Sequence, residues 1–255
     1  MSSKAKSAEF IRSTDVQFEY QVKSTPVTSN LDLITYGKYI LHPSYASDEL
    51  FHTSEEALLF CMNGPVELQI NEIVYELNHY DVLYVPLQTV YRIINPGYEK
   101  AEVIICKAPA LNKHEVYYSK WEELKNDESR IRHLDGKDVF LAFDVSEKAD
   151  KLMAGYTIYD PNTRAWPPHN HTDQEEIYIF TKGKGAMEVY PDEKSKTFVQ
   201  GVNEMDAVTI PILNYHPVFS QEEDLDFIWC IAGERYWVGD KDKTFLDGDT
   251  DSLTT

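Results

Sequence analysis

Cysteine is scarce in this chain of 255 residues: Cys61, Cys106 and Cys230 are odd in number, far apart, and set in apolar runs such as LLFCM and FIWCIAG. They build neither a CxxC pair nor a disulfide framework, so the expectation is buried, reduced thiols in a cytoplasmic protein that folds without staples. Long hydrophobic runs are missing too. No segment approaches the roughly 18 apolar residues of a membrane span, and the opening MSSKAKSAEFIRSTD has no apolar stretch of signal-peptide length. Secretion and membrane insertion are therefore not expected. Positive charge is short as well, with 24 Lys and Arg against 43 Asp and Glu, a net −19. Nucleic acid and anionic membranes need a basic face, which sets both aside as partners; an anionic small molecule would need a local basic pocket within a repulsive field.

What is present is a chain 42% hydrophobic, enough for a proper core, written in short β-like runs. ALLFCM, VELQI, VYEL, DVLYVP, YRII and AEVIICKA follow one another, separated by turn residues such as Asn63-Gly64 and Asn95-Pro96-Gly97. That spacing belongs to a barrel or sandwich. YSKWEELKNDESRIR (118–132) is charged and poor in β-branched residues, and reads as a loop or short helix between two β units. Then VFLAFDV, KLMAGYTIYD, EEIYIF, GAMEVY, DAVTIP and LDFIWCIAG resume the pattern, and the closing DGDTDSLTT is polar. The two halves resemble each other. Glu56-Ala-Leu-Leu-Phe60 aligns with Glu176-Ile-Tyr-Ile-Phe180 at an offset of 120 (176 − 56), and LNHYDVLYVP with VNEMDAVTIP at 125 (206 − 81). The expected architecture is all-β, two tandem barrels from an internal duplication: residues 1–117, a connecting segment 118–135, and residues 136–255.

Only eight histidines occur, yet WPPHNHTDQEEIYIF holds two of them, His169 and His171. Residues i and i+2 of a strand share a face, so both imidazoles project inward if either does. Glu176 follows at the head of the next strand, and His216 comes from a later one. Three imidazoles and a carboxylate converging this way suit a divalent transition metal. Glu175 rivals Glu176 by spacing, but alternation puts Glu176 on the face of Tyr178 and Phe180, and its partner at the offset of 120, Glu56, is kept in the other half. At the two offsets the first half has Glu49, Phe51, Glu56 and Tyr91 in place of His169, His171, Glu176 and His216, so the metal ligands are expected in the second barrel alone.

His169-Asn-His171, Glu176 and Gly183 satisfy the first motif of the cupin superfamily without a gap. In the second motif Pro211 and His216 fit, while Met205, Leu213 and Ser220 stand where Gly, Gly and Asn are usual. From Leu31 to Phe245 the chain resembles more closely the bicupin sugar-acid isomerases, the family of 5-deoxy-glucuronate isomerase and 4-deoxy-5-threo-hexosulose-uronate ketol-isomerase. The carriers are YELNHYDVLYVP, SRIRHL, PPHNHTDQEEIYIF, NYHPV and IAGERYW. PPHNH and YHPV look like the first branch, the short loop between His171 and Glu176 like the second.

The resemblance implies a jelly-roll bicupin that interconverts an aldose and a ketose of an anionic sugar, a uronate or a hexose 6-sulfonate. It implies one divalent metal on His169, His171, Glu176 and His216, with zinc or manganese preferred and iron or nickel as alternatives. Tyr178, Glu188 and Tyr190 are the candidates for the proton-transferring base; Arg132, Arg164 and Arg235 are those for gripping the substrate's acidic group. A homo-oligomer stays open. Two other classes compete: an iron-dependent cupin dioxygenase, betrayed by oxygen uptake, and a non-catalytic sugar-binding module, for which an appended DNA-binding domain is expected and none is visible.

Overall fold

The computed structural model describes residues 8–11, 19–165, 168–192 and 197–236. Trp166, Pro167, part of the PDEKSKTF loop, Trp237 and the closing DGDTDSLTT lie outside them. Among the described residues nearly all regular structure is antiparallel sheet, with one short helix at Trp121–Leu124 and a 3-10 turn at Glu128–Arg130 inside the connecting segment. No helix among them is long and apolar enough to cross a membrane.

The strands form two large and two small sheets. The first large sheet runs Tyr117–Ser119, Val82–Val85, Glu55–Asn63, Ala101–Pro109, Thr35–Leu41, Glu19–Ser24 in spatial order. It faces a small sheet of Leu50–Phe51, Val90–Ile94, Val66–Ile70 and Ile73–Leu77. In the second half the large sheet runs Phe10–Ile11, Ala207–Ile210, Gln174–Lys182, Leu225–Gly233, Leu152–Tyr159, Lys137–Phe143, Ile131–Leu134, and the small one Phe198–Asn203, Lys184–Val189, Val218–Ser220. The strand at Phe10–Ile11 thus pairs with the second large sheet, on Ala207–Ile210, where Tyr117–Ser119 pairs with Val82–Val85 in the first. Ile131–Leu134 pairs with Lys137–Phe143 and so belongs to the second sheet.

Three apolar clusters follow from strand alternation. One fills the first barrel, with Ala57, Leu59 and Cys61 among its members. Another fills the second barrel with Tyr178, Phe180, Met187, Val189, Phe227 and Trp229. The third lies between the large sheets, where Leu58, Phe60 and Cys106 meet Ile177, Ile179 and Cys230. Strands buried on both faces read as continuous apolar runs, which is why both halves look uniformly hydrophobic. All three cysteines are buried and free.

The backbone repeats faithfully across the two halves. Met205 and Leu213 adopt φ of 66° and 65°, and Tyr80 and Gln88, 125 residues earlier, adopt 67° and 56°. The left-handed turns that glycine would make easily are therefore kept by larger residues. Gly183 has φ +82°, and a Cβ there would stand 2.0 Å from the Asp224 carbonyl oxygen, so this motif position demands glycine.

The ladders correct the alignment of the halves. Leu58 pairs with Cys106 and Ile177 with Cys230, Ala57 with Val85 and Glu176 with Ile210. The offset on this strand is 119 (177 − 58). Glu56 therefore corresponds to Glu175, and Glu176 to Ala57. The loop agrees, because Gln88 N–H donates to the His52 carbonyl (2.7 Å) as Leu213 N–H does to the His171 carbonyl (2.6 Å). His52, not Phe51, is the counterpart of His171, and Leu50, not Glu49, that of His169. The shared letters EE and F drew the alignment one residue out of register.

Candidate metal centre

Gln174–Lys182 is buried over almost its whole length, so alternation alone decides where each side chain goes. Ile177 and Ile179 face the core between barrels, while Tyr178 and Phe180 face the second barrel's interior. Glu176 shares the interior face. Glu175 points the other way, where its carboxylate accepts the N–H groups of Asp32, Leu33 and Ile34 of the first barrel at 2.6 Å each. The rivalry between the two glutamates is thus a division of labour: one faces the site, its neighbour ties the barrels together.

Opposite Glu176, the ligand atoms of His169, His171 and His216 lie within 4.8 Å of one another. His216 shares an inward face with Val218, two residues on, which packs in the barrel interior. Its Nδ1 donates to the Asn214 carbonyl at 2.9 Å, which leaves Nε2 as the lone pair. Asn214 is itself fixed, its amide donating to the carbonyls of Pro211 and Ile212 at 3.1 Å. The Nε2 atoms of His171 and His216 approach Glu176 Oε2 at 3.4 and 3.2 Å. None of these three buried atoms makes a hydrogen bond.

A buried polar atom without a partner costs about 1–3 kcal/mol, so three of them aimed at one another call for a shared partner. A divalent cation fits. Burial pushes the His169 imidazole well below its usual range, helped by His216, His171, Lys137 and Arg132, so this ring is neutral with its lone pair available. Burial pushes the Glu176 carboxyl up, but His171 and His216 outweigh it and hold the group below the usual range. A neutral His169 imidazole beside an ionised carboxylate is a donor pair that a borderline metal such as zinc takes.

Of the three proton-transfer candidates, Tyr178 alone reaches this site, its ring 5.7 Å from that of His216 and nearly perpendicular to it. Burial, with Glu176 and Tyr159 nearby, raises its pKa well above normal. Glu188 lies between Met187 and Val189, both of which point inward, and pairs with Val199, which is 60% exposed; it occupies the face turned away from the site. Tyr190 is on that same side, bridged to Tyr215 and stacked on its ring at 5.7 Å.

The three arginines also separate. Arg235 spends its guanidinium on the carbonyls of Leu152, Glu147, Ala149 and Asp144 and lies over Phe143, fastening the 144–152 segment rather than facing the imidazoles. Arg164 lies over Phe219, 4.8 Å from the ring centre, beside the inward-facing Val218. Arg132 is near enough to His169 to depress its protonation. So is Lys137, which the sequence did not single out. Its ammonium donates to the Tyr159 hydroxyl at 3.3 Å, and burial pushes its pKa down to about 8. The available signal was a lysine at an inward position of KDVFLAF, masked because both faces of that strand become apolar after Val139.

The first barrel has Leu50, His52, Ala57 and Tyr91 at the four ligand positions. One imidazole survives, but His52 Nε2 is bound to the Tyr91 hydroxyl at 2.8 Å, and a lone imidazole with a phenol is no donor set for these metals.

The KduI/IolB family model matches residues 10–246. The chain belongs to this family. Two similar proteins carry the name 4-deoxy-L-threo-5-hexosulose-uronate ketol-isomerase. That of Bacillus licheniformis is 28% identical over 211 residues, covering 78% of this chain and 74% of that protein. That of Oceanobacillus iheyensis is 26% identical over 200 residues, covering 71% and 68%. Among solved structures, an IolB-like protein from Salmonella typhimurium superposes with a TM-score of 0.75 at 16% identity, covering 90% of this chain and 95% of that one. A mutant of Bacillus subtilis oxalate decarboxylase OxdC superposes at 0.72 and 13% identity, covering 98% and 85%. At such identities these two establish the bicupin fold of this KduI/IolB member, and the fold alone.

Proposed function

We propose that this KduI/IolB protein is a metal-dependent isomerase that interconverts the aldose and ketose forms of an anionic sugar, a uronate in the first instance. The observation that carries the reading is the set of three imidazoles and one carboxylate, with buried atoms of His171, Glu176 and His216 facing one another without a hydrogen bond, in one barrel of a chain whose named relatives are ketol-isomerases. His169, His171, Glu176 and His216 would hold the ion, with zinc or manganese favoured by the nitrogen-rich donor set. A divalent cation there supplies Lewis acidity to the carbonyl and adjacent hydroxyl oxygens of a sugar, which acidifies the intervening C–H.

The protein's own part is orientation and exclusion. Asn214 fixes the tautomer of His216, and Glu175 on the reverse face of the strand fixes the register of Glu176. Tyr178 keeps its proton, and so serves as a donor toward a substrate oxygen rather than as the base. The apolar wall of Phe180, Phe227 and Trp229 keeps competing water from the interior. Three buried, reduced thiols support a cytoplasmic setting.

The test is a screen of acidic aldoses, 5-deoxy-glucuronate and 6-sulfo-glucose among them, with metal-loaded protein and NMR of the products. Ketose accumulating to an equilibrium ratio is expected. Consumption of oxygen with ring or chain cleavage would replace the isomerase by a dioxygenase.

A further inference from the structure

Lys137 lies on the hairpin Ile131–Leu134/Lys137–Phe143, and the register of this hairpin says what faces the site. Arg132 pairs with Val139, His133 with Asp138, and Leu134 with Lys137. His133 and Asp138 are ion-paired and exposed, with side chains 57% and 44% accessible. Their neighbours Arg132 and Lys137 therefore occupy the opposite face, that of Val139 and Leu141, which pack in the barrel interior. As diagonal cross-strand neighbours, Arg132 and Lys137 have backbones roughly 7–8 Å apart. Lys137 also pairs directly with Tyr159 on the next strand, and the Tyr159 ring packs on Phe227, which packs on Tyr178 beside His216.

In a chain of net charge −19, two cations turned into one barrel are a local reversal of sign. Lys137 is the more telling. Among the described residues its ammonium meets the hydroxyl and ring of Tyr159, the ring centre 5.2 Å away, and no carboxylate. A partly buried ammonium with no anion costs stability unless a ligand supplies the missing charge.

We infer that Lys137, with Arg132 beside it, is the seat for the acidic group of the substrate, an oxyanion such as a carboxylate or sulfonate. The sugar's carbonyl end would then lie toward His169, His171 and His216. Lys137 gives a point charge and Arg132 a planar fork, so together they take a rotating oxyanion without demanding one geometry. The depressed pKa of Lys137 has the cause this requires, burial without a counter-ion. The inference rests on the anionic-sugar reading above and assigns to it a residue outside the arginines.

The test is calorimetric binding of glucuronate, 6-sulfo-glucose and glucose to the metal-loaded protein and to Lys137→Met and Lys137→Arg. Wild type should bind at least one of the two acids more tightly than glucose, and which one names the acidic group. Lys137→Met should weaken that acid by roughly ten- to a hundredfold, the worth of one charge-assisted bond, and leave glucose affinity and metal content unchanged. Lys137→Arg should restore most of the loss. Lys137→Met binding the acid as tightly as wild type would overturn the seat while the anionic-sugar reading stands. Wild type with no preference for either acid over glucose would overturn that reading itself, and the seat with it.

Discussion

Glu56→Gln should destabilise the protein without touching the metal. Glu56 is fully buried, and its carboxylate accepts the N–H groups of Asp150, Lys151 and Leu152 at 2.9, 2.7 and 2.8 Å and the Tyr84 hydroxyl at 2.7 Å. Glu175 holds residues 32–34 in the same way, so a reciprocal pair of clamps joins the barrels. In the best orientation a glutamine keeps its oxygen on Lys151 and Leu152, and Tyr84 turns to accept from the new NH2. The Asp150 N–H then faces another donor, and the remaining bonds lose their charge. One orphaned N–H at about 1–3 kcal/mol and two weakened bonds at about 1 kcal/mol each sum to about 4 kcal/mol. For a chain of this size that corresponds to a fall in Tm of roughly 10 °C. Thermal melting followed by circular dichroism reads it directly, and Glu175→Gln should fall by a similar amount. A Glu56→Gln melt within about 1 °C of wild type would refute the clamp.

Metal analysis of the purified protein should give one divalent ion per chain, and His169→Ala or His216→Ala should abolish it while the fold persists; two equivalents in wild type would mean the first barrel also binds. For His52, burial, with Lys107 adding to it and Glu55 opposing, pushes the imidazole from 6.5 to about 4. The folded state keeps it neutral where the unfolded chain protonates, so its stability is complete above pH 6.5 and is lost as pH falls toward 4. His52→Gln should flatten the Tm profile over that window, and an unchanged acid limb would contradict the assignment. Turnover in deuterated water should place deuterium on the carbon that gains hydrogen; product free of label would point to a hydride shift.

The bicupin architecture was legible because its signals are redundant: short β runs, turn residues, and two blocks of self-similarity. Glu176 was separable from Glu175 by period-two alternation, which needs only the identity of Tyr178 and Phe180. The phase between the halves was not legible. Strands apolar on both faces carry no hydrophobic marker of register, so Glu56 was matched by letter to Glu176 when its hydrogen bonds match it to Glu175. Glu188 and Tyr190 were chosen for nearness in sequence, but Met187 and Val189 take the inward face and turn both away. Lys137 stayed hidden for a related reason, since its environment comes from Tyr159 on the next strand and His169 in a distant loop. Arg235 misled because its guanidinium serves main-chain carbonyls, partners that no sequence pattern announces.

The most direct measurement is anaerobic turnover of the acidic aldose that the protein converts, followed by NMR as metal is returned to chelated protein. Ketose should form at a rate that rises in proportion to added ion, reaches its plateau at one equivalent per chain, and needs no oxygen. Full turnover by the chelated protein, or turnover that begins only when oxygen is admitted, would contradict a metal-dependent isomerase in the second barrel.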